Sequence, residues 1–366
     1  MHRVASMAIA SLAVAFSSPA QAEILIGAAG QITGPVAWQG QQIIHGSEMA
    51  VADINAAGGV LGQPLRLITA DDFCDPEQAI AAAQKLVGDD VVLVVGHGCS
   101  GASIAASKVY EAAGVIQISP SSTNPMLTEQ GRGNVFRTIG RDDMQGSVAG
   151  NYLADHWADR NIAILNDGTT YGKGLADETK RQLNKRGVAE AIFNTYDAGK
   201  ADYSDEMAAL QAANVAALYV GGYPNDIALM ARAAHDRGYT VQLISGDTIA
   251  TEEFGLVAGT AAEGVLFTFV ADPRRSPDAV EVVERFRAEN FEPDSFTLLS
   301  YAAVQAWAHA VEKAGALEPT VVIASLHKNQ FDTVLGRIDF DEKGDIMVQN
   351  WVWYVWRGGE YTPVEK

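Results

Sequence analysis

VVLVVGHGCSGAS, Val91 to Ser103, and VIQISPSSTNP, Val115 to Pro125, are the stretches on which the reading of the fold turns. In each, an apolar run gives way abruptly to small hydroxyl and glycine residues, and GHGCSG leads on into a helical pattern. Such stretches read as buried strands ending in small-residue loops, with free backbone N–H groups and hydroxyls gathered at a helix N-terminus. In parallel α/β sheets ligands sit beyond the carboxyl ends of strands, so the two loops are candidate halves of one anion site.

The pattern continues on both sides. ILIGAA (Ile24 to Ala29) reads as a strand, and QQIIHGSEMAVADINAAGG as a helix closed by Gly58 and Gly59. PLRLITA, PEQAIAAAQKLVGD, ASIAASKVYEAAG and the strands around the two loops keep the same alternation, which predicts crossover units on a parallel sheet. The rhythm restarts after RTIGRDD, Arg137 to Asp143, with NIAILND, AIFNTYD, VAALYVGG, VQLISGD and GVLFTFV as strands and helices between them. One plan repeated in two halves predicts two α/β lobes with a cleft between them. After ADPRRSPD (Ala271 to Asp278) come three helical segments, then VLGRIDF, the turn DEKGD and the alternating run NWVWYVW, whose tryptophans are expected in a strand covered on both faces.

His2 and Arg3, an apolar run from Val4 to Phe16 broken only by Ser6 and Ser11, and the small-x-small ending of SSPAQA read as a secretory signal peptide over residues 1–22. No cysteine stands at the cleavage point, and no later apolar stretch is long enough to span a bilayer. The expected product is an exported protein of a Gram-negative periplasm. Its formal charge of -19, from 26 Lys and Arg against 45 Asp and Glu, opposes nucleic acid as a partner. The two cysteines, Cys74 and Cys99, have His97, Asp71, Asp72 and Asp75 near them, so a metal is conceivable. A paired count in an exported chain favours a disulfide instead, which contributes about 3 to 4 kcal/mol by loop closure.

Gly96, Gly98 and Gly101 also spell G-x-G-x-x-G. A dinucleotide fold would place that loop in its first βαβ unit with a ribose-binding acid about 20 residues on, whereas here it follows the third strand. Hydrolytic signatures are absent from the sequence, and Ser100, Ser121 and Thr123 have no evident base, so they are read as hydrogen-bond donors and no cofactor is expected.

GPVA (Gly34 to Ala37), DDFCDP around Cys74, GHGCS, ISPSSTNPMLT (Ile118 to Thr128), YGKGLA (Tyr171 to Ala176), GGYP (Gly221 to Pro224), YAAVQA (Tyr301 to Ala306) and DFDEKGD (Asp339 to Asp345) occur in this order along the chain. In these motifs, and in the separation of its cysteines, the sequence resembles the branched-chain (leucine/isoleucine/valine) amino-acid binding proteins of ABC importers, which are type I periplasmic binding proteins. The resemblance implies two Rossmann-like lobes joined by three hinge crossovers. The first would be 23–141 plus 271–348 and the second 142–270 plus 349–366. It also implies a non-enzymatic, monomeric receptor that closes around an amino acid by hinge motion and presents it to an inner-membrane permease.

By the same resemblance Ser100 and Thr123 would bind the ligand carboxylate, Ser121 would offer its carbonyl to the ammonium, and Ser122 would lie among them. Tyr171 and Tyr223 would close from the second lobe, and Asp247 would pair with the ammonium. A simpler role for Asp247 is to cap the helix starting near Thr251. Two positions depart from the family pattern. Asp247 stands where Glu is common, and Gln39 stands where an aromatic is common, with Trp38 before it; Trp38 or Phe296 would then line the side-chain pocket. These departures admit alanine, proline or γ-aminobutyrate as ligands beside the branched-chain set. A sensory protein presenting its ligand to a chemoreceptor is the alternative function.

Overall fold

The computed structural model describes residues 22–365; the signal-peptide reading falls almost wholly outside them. The first sheet is parallel and contains β1 (Ile24–Gly30), β2 (Leu65–Asp71), β3 (Leu93–Gly96), β4 (Ile116–Ser119) and β5 (Val135–Arg137), in the order β2-β1-β3-β4-β5. The next strands are β6 (Asn161–Asn166), β7 (Ile192–Thr195), β8 (Val215–Gly221), β9 (Gln242–Ser245) and β10 (Leu266–Val270), followed by the hairpin β11 (Phe331–Thr333) and β12 (Gly336–Ile338). With β13 (Trp351–Arg357) and β14 (Glu360–Pro363), β6–β10 make the second sheet, ordered β14-β13-β10-β9-β8-β6-β7. The chain is therefore a two-lobed α/β protein with parallel-dominated sheets.

Local chemistry starts and stops the elements. β3 and β4 are buried throughout, as strands of a sheet covered on both faces are; the polar Gln117 and Ser119 of β4 are accommodated by donating to the Gly96 and His97 carbonyls at 3.1 and 2.9 Å. Asp75 caps the helix Pro76–Gly88 by accepting the N–H groups of Glu77 and Gln78, each at 2.9 Å, and Pro76 supplies its first position. Gly114, in the left-handed conformation, ends the helix Ser100–Ala113.

The chain passes between the sheets three times. It leaves the first after β5 and returns after β10 through the helices Val280–Ala288, Thr297–Ala314 and Pro319–Lys328. The helix Thr297–Ala314 lies against the helix Ala37–Ala56, where Ser47 and Ser300 share a 2.9 Å hydrogen bond. After Asp345 bridges to Arg137 at the edge of the first sheet, the chain crosses again to form β13 and β14.

This last pair is antiparallel, which the sequence pattern does not announce. Its tryptophans correct the expectation of a fully covered strand. Trp356 is buried and donates its indole N–H to the Ile249 carbonyl, but Trp351 and Trp353 are only half-buried. Trp353 stacks obliquely on Tyr152, with centroids 4.5 Å apart. The near edge of the sheet is closed by the short β14, so cover there is thinner than over β8 or β9.

Candidate ligand-binding site

β3 and β4 end side by side, and their loops are laced together by small side chains. The Ser121 hydroxyl donates to the Gly98 carbonyl at 2.8 Å, and Ser122 shares a 2.7 Å bond with Ser103. Both hydroxyls therefore help to hold the two loops together. Ser100 accepts the Asn124 N–H at 3.3 Å, so the first turn of the helix Ser100–Ala113 faces the second loop. The Thr123 hydroxyl is fully buried, yet among the described residues it has no hydrogen-bond partner.

Beneath this pair of loops the Cys74–Cys99 disulfide is formed, with Cα atoms 5.4 Å apart. His97 is fully buried with Nδ1 2.6 Å from Asp72 Oδ2 and Nε2 2.9 Å from the Tyr110 hydroxyl. A second link thus joins the two cysteine-bearing loops: His97 and Asp72 are turned to one another, while Asp71 accepts from Ile32 and Thr33 and Asp75 caps a helix. Among the described residues no group of three His, Cys, Asp or Glu side chains is placed to hold a metal ion.

Arg137, at the end of β5, underpins the second loop. Its guanidinium donates to the carbonyls of Ser122 (2.8 Å) and Asn124 (3.1 Å), the residues flanking Thr123, and lies 2.6 Å from Asp345 Oδ1. Arg137 and Asp345 are both inaccessible, and Arg141 reaches the other Asp345 oxygen at 2.7 Å. Burial draws the Arg137 pKa down, opposed by the Asp345 charge.

From the second lobe, Tyr171 donates its hydroxyl to Asp247 Oδ1 at 2.8 Å, and Tyr223 lies 5.5 Å from Tyr171, centroid to centroid. The lobes touch across the cleft. Asn124 Nδ2 donates to the Thr170 carbonyl at 2.8 Å, and the Tyr223 hydroxyl stands 3.5 Å from Cys74 Sγ. Gly101 leaves room for this approach, because a Cβ there would stand 3.2 Å from Thr170 Oγ1. That steric need accounts for a glycine of the dinucleotide-like spelling without a nucleotide.

Asp247 does not cap the following helix; Thr251 does, accepting the Glu253 N–H at 3.0 Å. Asp247 Oδ2 is buried and, among the described residues, unpartnered. The same holds for both carboxylate oxygens of Asp142, whose backbone N–H donates to the Thr123 carbonyl at 2.9 Å. Sequence reading passes over Asp142 because RTIGRDD looks like a hydrophilic connection. The one available signal is an acid opening the helix that follows the strand supporting the second loop. Phe296 is fully buried edge-on against Phe269, and Trp38 is half-buried near the start of the helix Ala37–Ala56. The packing of Phe296 is that of a core residue and needs no ligand.

Burial pushes the Asp247 carboxyl up to about 6, against the opposing hydrogen bond from Tyr171. Asp142 is held well above the usual carboxylate range, first by burial and next by the Asp247 charge; the neighbouring Thr123 hydroxyl, which lies outside hydrogen-bond geometry, and the Arg137 charge pull the other way. The closed cleft without a cation therefore disfavours ionised Asp247 and Asp142. In an open cleft these groups are solvated and keep lower pKa values, so the closed form binds protons more tightly than the open one. Closure without ligand should accordingly become easier as the pH falls through about 6. Small-angle scattering of the ligand-free protein should show a radius of gyration that shrinks between roughly pH 7.5 and 5. The trend should be weaker in Asp247→Asn; a flat profile in the unmodified protein would rule out charge gating by these carboxyls.

Residues 23–360 match the periplasmic binding protein family. The chain is 45% identical to the Leu/Ile/Val-binding protein homolog 1 of Brucella suis over 94% of each protein. It is 42% identical to an amino acid binding protein of Pseudomonas aeruginosa, over 96% of this chain and 95% of that one. Among solved structures, the branched-chain amino acid transporter substrate binding protein LivJ of Streptococcus pneumoniae, in complex with isoleucine, superposes with a TM-score of 0.83 at 27% identity. That match covers 94% of this chain and 100% of the other. The leucine binding protein LivK of Thermotoga maritima gives a TM-score of 0.85 at 25% identity, over 93% and 98% of the two chains. Two lobes, a cleft lined by unpartnered polar atoms and similarity along nearly the whole chain lead to one conclusion: this protein belongs to the periplasmic binding protein family.

Proposed function

We propose that the protein is the periplasmic receptor of an ABC importer and carries an amino acid, without catalysis, to an inner-membrane permease. The observation that supports this most directly is the placement of complementary unsatisfied groups across one cleft. Ser100 and the unpartnered Thr123 hydroxyl, at a helix N-terminus and a strand end, suit a carboxylate. Asp247 and Asp142, with unpartnered carboxylate oxygens, suit an ammonium. The backbone carbonyl of Ser121 is a further acceptor for it, and Tyr171 and Tyr223 would cover the ligand from the second lobe. An α-amino acid is the smallest molecule that answers both ends.

The lobes 23–141 plus 271–348 and 142–270 plus 349–366 would move as bodies about the three crossovers, and the closed shape would be what the permease reads. The names of the relatives favour leucine, isoleucine and valine as the first ligands to test. Thermal-shift measurements on the mature protein should show its melting temperature rise by a few degrees at a ligand concentration about 100 times Kd, and rise further with concentration. No response to any α- or ω-amino acid would remove this function.

A further inference from the structure

Gln31 follows β1 directly and is fully buried, at the same end of the first sheet as Ser100 and Thr123. Its backbone is pinned. The next residue, Ile32, donates its N–H to Asp71 Oδ1 at 2.9 Å, and Thr33 donates its hydroxyl to Asp71 Oδ2 at 2.6 Å. Gly40, in the helix Ala37–Ala56, presses against the Gln31 carbonyl so closely that a Cβ at 40 would overlap it. The side chain has equally little freedom. A Cβ built on Gly98 would overlap Gln31 Oε1 and stand 2.8 Å from Nε2, so the carboxamide occupies the space that any residue but glycine would fill at position 98. Gly98 is two residues before Ser100, and its carbonyl is the one that receives the Ser121 hydroxyl. The carboxamide is thus set against the carboxylate-binding loop itself.

Both of its polar ends are unsatisfied. Gln31 Oε1 and Nε2 are buried and, among the described residues, neither has a hydrogen-bond partner. A buried amide with neither its donor nor its acceptor used is a costly arrangement that native interiors rarely keep. An aliphatic side chain of similar size would avoid that cost and would suit a purely hydrocarbon ligand better. The main-chain ends of an amino acid are already answered by the Ser100–Thr123 loops and by Asp247 and Asp142, so the group that meets Gln31 belongs to the ligand side chain. We propose that Gln31 is a specificity-determining residue that hydrogen-bonds a polar, uncharged side chain on the bound amino acid, extending the ligand range beyond aliphatic residues. The carboxamide can donate and accept, so it serves a hydroxyl or another carboxamide equally. This inference rests on the amino-acid receptor reading above.

The test compares ligands matched in size and differing in polarity, by calorimetry on the full mature chain. Threonine against valine probes a short reach, and glutamine against methionine a long one. In the unmodified protein the polar member of at least one pair should bind as tightly as the apolar member or more tightly, despite the cost of desolvating it. Gln31→Leu should lower the polar-to-apolar affinity ratio of that pair by about tenfold or more, because a buried hydrogen-bonding group then loses its partner. Gln31→Met, unbranched and of similar length, should do the same and serves where leucine disturbs folding. The ligand-free melting temperature of either variant should be unchanged or raised, since an unpaired amide has been removed. If the unmodified protein binds valine or methionine and both Gln31 variants leave the two ratios unchanged, the role of Gln31 is overturned while the receptor function stands. If no member of either pair binds, nor any other amino acid, the receptor function itself fails and this inference falls with it.

Discussion

Asp247→Asn is expected to weaken amino-acid binding by about 2 kcal/mol or more, roughly a 30-fold rise in Kd. Asp247 Oδ1 is already engaged by the Tyr171 hydroxyl at 2.8 Å, whereas Oδ2 is buried and unpartnered, so an ammonium that reaches Oδ2 completes the carboxylate. Asparagine keeps the shape but not the charge, and the ammonium is then desolvated against a neutral amide and the Asp142 carboxyl. Titration calorimetry with the best amino acid from the thermal-shift panel measures the effect. The ligand-free melting temperature should not fall, because the substitution removes an uncompensated buried charge. Unchanged affinity would leave Asp247 as a structural partner of Tyr171 and move the ammonium site to Asp142.

Asp345→Asn is expected to destabilise the fold by about 3 to 5 kcal/mol, the usual cost of leaving a buried charge without its partner. Here the loss falls on two cations: Arg137 Nε sits 2.6 Å from one Asp345 oxygen and Arg141 Nη1 2.7 Å from the other. Arg141 keeps Asp143 and Glu129, both at 2.8 Å, but Arg137 retains as direct partners only the carbonyls of Ser122 and Asn124 and the Thr128 hydroxyl, with the Asp142 carboxyl acting on it from outside hydrogen-bond reach. A drop in melting temperature of roughly 6 °C or more should follow. The double replacement Arg137→Met with Asp345→Leu should recover much of the stability, since apolar isosteres avoid the desolvation cost. It should not recover affinity, because the carbonyls on either side of Thr123 then lose the donors that orient them. Full recovery of both would reduce the ion pair to a packing element with no part in shaping the loop.

The loops of the candidate site were legible in the sequence. Ser100 and Thr123 stand out because small hydroxyl residues that interrupt apolar strands are conspicuous in one dimension. Tyr171, Tyr223 and Asp247 came only through family motifs, since a lone tyrosine or aspartate carries no local signal. The partners of the Ser121 and Ser122 hydroxyls were not legible: they bond to Gly98 and Ser103, a choice that depends on how two loops meet.

Local composition by itself determined the alternation of strands and helices, the two-lobed α/β plan, the pairing of Cys74 with Cys99 and the small-residue loops that hold the cleft. Each of these follows from short-range periodicity or from counting, because strand and helix periods, turn residues and paired cysteines act within a few residues or through the whole composition. Tertiary structure alone decided which polar groups remain unsatisfied. Arg141 and Asp345 meet across 204 residues of chain, Asp142 is buried beside Asp247 from far along the chain, and Gln31 has its place because Gly98 has no side chain to displace it. The physical reason is desolvation. A glutamine or aspartate costs nothing in an open chain, and its need for a partner arises only when folding takes it out of water.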